Sequence, residues 1–71
     1  MDAKVNNQFT QNNGMVISEN KNYRSVVGDL VKVLKIDVGT NTMICFNLSD
    51  QAKAWHRIDA AIKDDKFRHE G

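Results

Sequence analysis

Seventy-one residues make one small domain, and a chain this short buries only about 60% of the surface its unfolded form exposes, so its core is thin. Ten Lys and Arg against nine Asp and Glu leave a net charge of +1, without the overall basic excess of a dedicated DNA binder. The single cysteine excludes an intrachain disulfide, and no apolar run is long enough to span a bilayer.

Residues 1–13 form a polar arm rich in Asn and Gln. The arm has no basic-then-apolar signal pattern, so the expected location is cytoplasmic, with no membrane partner. It is either disordered or the first strand of a hairpin through Asn12-Asn13-Gly14. In the second case a strand falls near residues 8–11, with Phe9 as its anchor. Residues 14–67 read as a single α+β domain and residues 68–71 as a tail. Met15-Val16-Ile17 is a short apolar run before a polar turn at residues 19–22. Residues 23–27 then read as a strand, and Gly28-Asp29 as a turn.

Two longer strands are expected at residues 30–38 and 42–48, paired antiparallel through Gly39-Thr40-Asn41, where Gly and Asn supply positive φ. The period of two puts Leu30, Lys32, Leu34, Ile36 and Val38 on one face of the first strand, and Val31, Val33, Lys35 and Asp37 on the other. In the second strand Ile44, Phe46 and Leu48 oppose Met43, Cys45 and Asn47. Both strands are therefore apolar on both faces, and something must cover the second face: a closed small barrel, the N-terminal segment or a second subunit.

Ser49 or Asp50 is the expected cap of a helix running to about Lys66. Trp55, Ile58 and Ile62 recur at steps of three and four and make its core-facing stripe. The expected fold class is thus α+β: a small antiparallel sheet of about three to five strands followed by one C-terminal α-helix. Gly28-Asp29-Leu30-Val31-Lys32-Val33 resembles the G-D-x-V-x-V strand opening of small SH3-like and OB-like barrels. That resemblance implies a curled half-barrel and a binding module.

No catalytic, cofactor-binding or metal-ligating constellation stands out. His56 with Asp59 supplies one histidine and one carboxylate where zinc takes about four ligands. Cys45 lies between Ile44 and Phe46 and reads as a buried hydrophobe. Asp64-Asp65 lacks the ligand ladder of a calcium loop.

The expected function is a non-enzymatic protein-binding module or regulator that self-associates as a homodimer. Its partner surface would be formed by Val31, Val33, Met43 and Trp55. The alternative is a nucleic-acid-binding module that uses Arg24, Lys32, Lys35, Lys53 and Arg57 with neighbouring aromatics.

Overall fold

The computed structural model describes residues 7–70. Within them the chain runs through β1 (Gln8–Thr10), β2 (Val16–Ser18), β3 (Asn22–Ser25), β4 (Leu30–Asp37), β5 (Thr42–Asn47), β6 (Ala52–Arg57), α1 (Ile58–Asp64) and β7 (Phe67–Arg68). Strands β3 to β6 form an antiparallel meander, and β7 returns to the far side of β3, so the sheet order is β6-β5-β4-β3-β7. Strands β1 and β2 pair as a separate hairpin. The α+β class expected from the sequence is the class observed.

Of the arm expected over residues 1–13, Gln8–Thr10 form β1, residues 11–13 enter the hairpin turn, and residues 1–6 lie outside the described residues. Phe9 anchors the strand in the core, as its position among polar neighbours suggested. Gly14 takes φ +90° in the hairpin turn, a conformation open to glycine at little cost.

Strand β4 decides which side of the sheet is the core. Its register against β5 slips between Val33 and Lys35, leaving Leu34 as an extra residue. Before the bulge Val31 and Val33 point inward; after it Ile36 does, and Lys35 turns to solvent. Simple alternation put Ile36 with Lys32, and the bulge corrects that. Partway along, β4 also outruns β3. The exposed edge at Ile36 is satisfied by side chains instead: its N–H donates to Glu19 Oε2 at 2.8 Å and its carbonyl accepts from Asn7 Nδ2 at 2.9 Å.

The residues 42–48 strand is observed as β5, paired antiparallel with β4 as expected. The turn between them is a 3-10 turn, Val38–Thr40, capped at its start by Asp37 and closed by Asn41 at φ 58°. Asn41, not Gly39, supplies the positive φ. Asn41 also holds the helix: its carbonyl accepts from Ile58 N at 3.1 Å and its Oδ1 from Asp59 N at 3.0 Å. Two of the orphan donors at the start of α1 are thereby paired by a distant turn.

The helix is shorter than its pattern suggested. Residues 52–57 form β6, and only Ile58–Asp64 are helical. The reason lies at the expected cap. Asn47 Oδ1 accepts from Ser49 N and Asp50 N at 2.9 and 3.1 Å, and Gln51 adopts φ 55°. Those bonds build a tight turn that sends the chain back along β5, where a helix start would have sent it away. Ile58 and Ala61 carry the helical burial. The helix ends on Asp65 in the left-handed region at φ 47°.

The core lies between the sheet and a second layer made of the β1–β2 hairpin and α1. Phe9 and Ile17 from the hairpin and Ile58 and Ala61 from α1 pack against Tyr23, Val31, Val33, Ile36, Met43, Cys45 and Phe67 of the sheet. Tyr23 and Phe67 meet with ring centroids 5.9 Å apart and tilted at 54°, and the Tyr23 hydroxyl accepts from Ser18 N at 2.8 Å. The face carrying Val31, Val33, Met43 and Cys45 is thus the face the second layer covers. Of the three covers the sequence leaves open, a closed barrel, the N-terminal segment or a second subunit, the N-terminal segment is the one observed, as the β1–β2 hairpin, and α1 joins it.

One buried polar side chain joins the two ends of the domain. Gln11 is 3% exposed. Its Oε1 accepts from Phe67 N at 2.8 Å and its Nε2 donates to Phe67 O at 3.0 Å. The amide stands in for a neighbouring strand along the free edge of β7. Replacing Gln11 with Leu keeps the volume and orphans both backbone groups of Phe67. The expected loss is about 2–4 kcal/mol, a large part of the roughly 4–10 kcal/mol expected for a chain of this size. Urea unfolding of Gln11→Leu checks it.

Cys45 is buried at the sheet centre, and desolvation raises its thiol pKa to about 11, against a smaller lowering by Lys66. Native Cys45 is expected to react with a thiol reagent at pH 8 at least about 100-fold more slowly than in the unfolded chain, since the thiolate is the nucleophile. The folded thiol binds its proton more tightly than the unfolded one. Its contribution to stability is therefore complete below about pH 9 and is lost as pH rises towards about 11, a window that Cys45→Ala abolishes.

Candidate nucleic-acid interface

The side of the sheet opposite the core is open to solvent, and strand alternation decides what stands on it. Three cross-strand rows run over β4, β5 and β6: Lys32–Phe46–Lys53, Lys35–Ile44–Trp55 and Asp37–Thr42–Arg57. Within a row the strands are about 5 Å apart, and successive rows are about 7 Å apart. Arg24 of β3 and Arg68 of β7 are direct partners further along the same face. Like charges set opposite each other destabilise a sheet pair, and among the described residues no carboxylate lies within ion-pair distance of either; Arg24 donates instead to the carbonyls of Gly28 and Glu70 at 3.0 and 3.3 Å.

Among the described strand residues, six cations therefore share this face with one carboxylate, Asp37. The near-neutral total conceals the asymmetry because the described acidic residues lie elsewhere. Asp59 and Asp64 are on α1, Asp65 ends it, Asp29 and Asp50 are in turns, Glu19 is spent on the β4 edge, and Glu70 follows β7, its backbone carbonyl accepting from Arg24 Nε at 3.3 Å. Arg57 pairs with Asp59 at 3.2 Å, with both side chains exposed. The Asn41 side-chain bond, then that of Arg57, holds the Asp59 carboxyl below its ordinary range. Among the described residues, no carboxylate lies within ion-pair distance of the other five cations.

Trp55 is 69% exposed at the end of its row. It stands beside a shallow recess of about 410 Å³ lined by Lys35, Asp37, Thr40, Thr42 and Ile44. The recess is polar at one end: Thr40 and Thr42 share a 2.7 Å hydroxyl bond, and Asp37 Oδ1 accepts from Thr40 N. Ile44 and Phe46 are half-buried between the lysines.

Of the two sets of residues singled out in the sequence, the first divides between core and surface and the second stays together. Val31, Val33 and Met43 are in the chain's own core and offer no surface to a partner in the folded domain. Trp55, expected in the core-facing stripe of a helix, points outward from a strand. Arg24, Lys32, Lys35, Lys53 and Arg57 lie on one face, with Lys53 and Arg57 brought there by β6 and not by a helix. Sequence reasoning missed Phe46, Ile44 and Arg68 as members of this face. The alternation Lys53-Ala54-Trp55-His56-Arg57, with Lys53, Trp55 and Arg57 on one side and Ala54 and His56 on the other, carried the signal for β6.

His56 points to the core side of β6, where burial, and then the nearby charge of Lys66, lower its pKa. Among the described residues no cluster of His, Cys, Asp or Glu is arranged to hold a metal ion, and no helix is long and apolar enough to cross a membrane. No family model, curated protein or solved structure matches this chain.

The position of Trp55 has a direct consequence. Its fluorescence is expected at the wavelength of a water-exposed indole, and Trp55→Ser is expected to change stability by less than about 0.5 kcal/mol. Ile58→Ala, on the core side, is expected to cost about 2–4 kcal/mol. Emission spectra and urea unfolding of the two variants check both statements.

Proposed function

We propose that this protein is a nucleic-acid-binding module whose binding surface is the open face of its five-stranded sheet. The observation that carries the reading is the segregation of Arg24, Lys32, Lys35, Lys53, Arg57 and Arg68 onto one face, where Asp37 is the one carboxylate among the described strand residues. Such a face attracts phosphates, and released counterions supply the affinity. The reading favours the second of the two functions expected from the sequence. The protein-binding reading keeps one observation: β6 is an edge strand, with Trp55 beside its unpaired backbone, which suits the addition of an extended segment.

Binding of a labelled oligonucleotide is expected to weaken steeply with salt, with a log–log slope of about −0.7 to −0.9 per phosphate neutralised. Lys32→Glu with Lys35→Glu is expected to weaken binding at least tenfold at low salt without lowering the melting temperature, while Lys63→Glu on α1 has little effect. Anisotropy titrations at two or more salt concentrations measure this. Equal loss from the α1 variant, or no binding at low salt, would overturn the reading and leave the lysines as a cover for Phe46 and Ile44.

A further inference from the structure

The same face carries information about which form of nucleic acid it takes. It is three strands wide across the Lys–aromatic rows, whereas a duplex major groove admits a helix or a two-stranded ribbon. Its centre is apolar, formed by Phe46, Ile44 and Trp55. A duplex presents only phosphates and groove edges to such a surface, since its base faces are stacked away. A single strand presents phosphates and unstacked π-faces together.

Resting on the nucleic-acid reading above, we propose that the ligand is a single strand, with one base stacked on Trp55 and its phosphates on the flanking lysines. The recess at Trp55 orients that base. Asp37 repels a phosphate and accepts from a base N–H, an exocyclic amino group or the N3–H of thymine, so the base edge faces Asp37 and the Thr40 and Thr42 hydroxyls, while the backbone runs past Lys35, Lys32 and Lys53. Trp55 thus stands exposed as a stacking platform, and the cations flank the aromatic positions on both sides.

Because Trp55 is the only tryptophan, its emission reports the contact directly. The full chain is titrated with oligothymidylate, with a hairpin duplex of similar charge and with inorganic polyphosphate. Oligothymidylate is expected to quench the emission and to bind at least tenfold more tightly than the other two. Trp55→Leu is expected to lose roughly 5- to 150-fold for oligothymidylate, the span measured for one stacked base, with polyphosphate binding unchanged. Equal binding of all three without quenching would overturn the single-strand proposal and leave the basic-face reading standing. Unchanged oligothymidylate affinity in Trp55→Leu would do the same. Failure of all three ligands to bind would overturn both.

Discussion

Strand β4 lies at the centre of the sheet and has to serve two environments along eight residues. Without an extra residue, the alternation that buries Val31 and Val33 would also bury Lys35 and expose Ile36. An unpaired ammonium inside so small a core costs more than the core can offset. The bulge at Leu34 removes the conflict in one step, returning Ile36 to the interior and Lys35 to water. The same slip aligns Lys35 with Ile44 and Trp55. Core and basic face are therefore consequences of one irregularity, and a change that ironed it out would damage both.

The second layer depends on fixed polar contacts because its elements are short. The β1–β2 hairpin has three residues per strand and α1 has seven. Neither length supports itself in isolation. Gln11 ties the hairpin to β7, Asn12 N donates to Ile62 O, and Asn41 caps the start of α1 from the β4–β5 turn. Each contact joins segments far apart in sequence. Their polar groups are fully paired, so specificity is gained without leaving a buried group unsatisfied.

The paired strands β4 and β5 were legible because two β-branched runs flank a short turn, and Asn41 sits where positive φ is needed. The division of residues into two faces was legible for β5 and for the first half of β4. It failed past Leu34, because a bulge leaves no mark in a pattern that is apolar on both sides. The helix was half legible. Trp55, Ile58 and Ile62 fit a helical step, yet Trp55 belongs to a strand whose period of two fits equally well over six residues. What separated the two readings was Asn47, whose side chain organises a turn that depends on local bonds and not on hydrophobic spacing. The wrong helix start moved Trp55 from the surface to the core in expectation, and that reversed the assignment of faces. Gln11 had no readable role, since its partner is a backbone 56 residues away.

The charges on the open face also bear on self-association. Strand β6 is an unpaired edge, and edges of this kind are protected in many proteins by lysine and arginine. Antiparallel pairing of β6 with its copy would bring Lys53 and Arg57 of one chain alongside those of the other. Two like-charged pairs on one short seam oppose the backbone hydrogen bonds gained there. The cations that would draw a polyanion to the sheet therefore weigh against a homodimer through β6. The core residues once expected to drive dimer formation are already covered from within the chain. A surface that repels its own copy and leaves an indole in water gains little for the fold from either feature. Each of these features becomes favourable when an anionic strand with exposed base faces lies across the sheet.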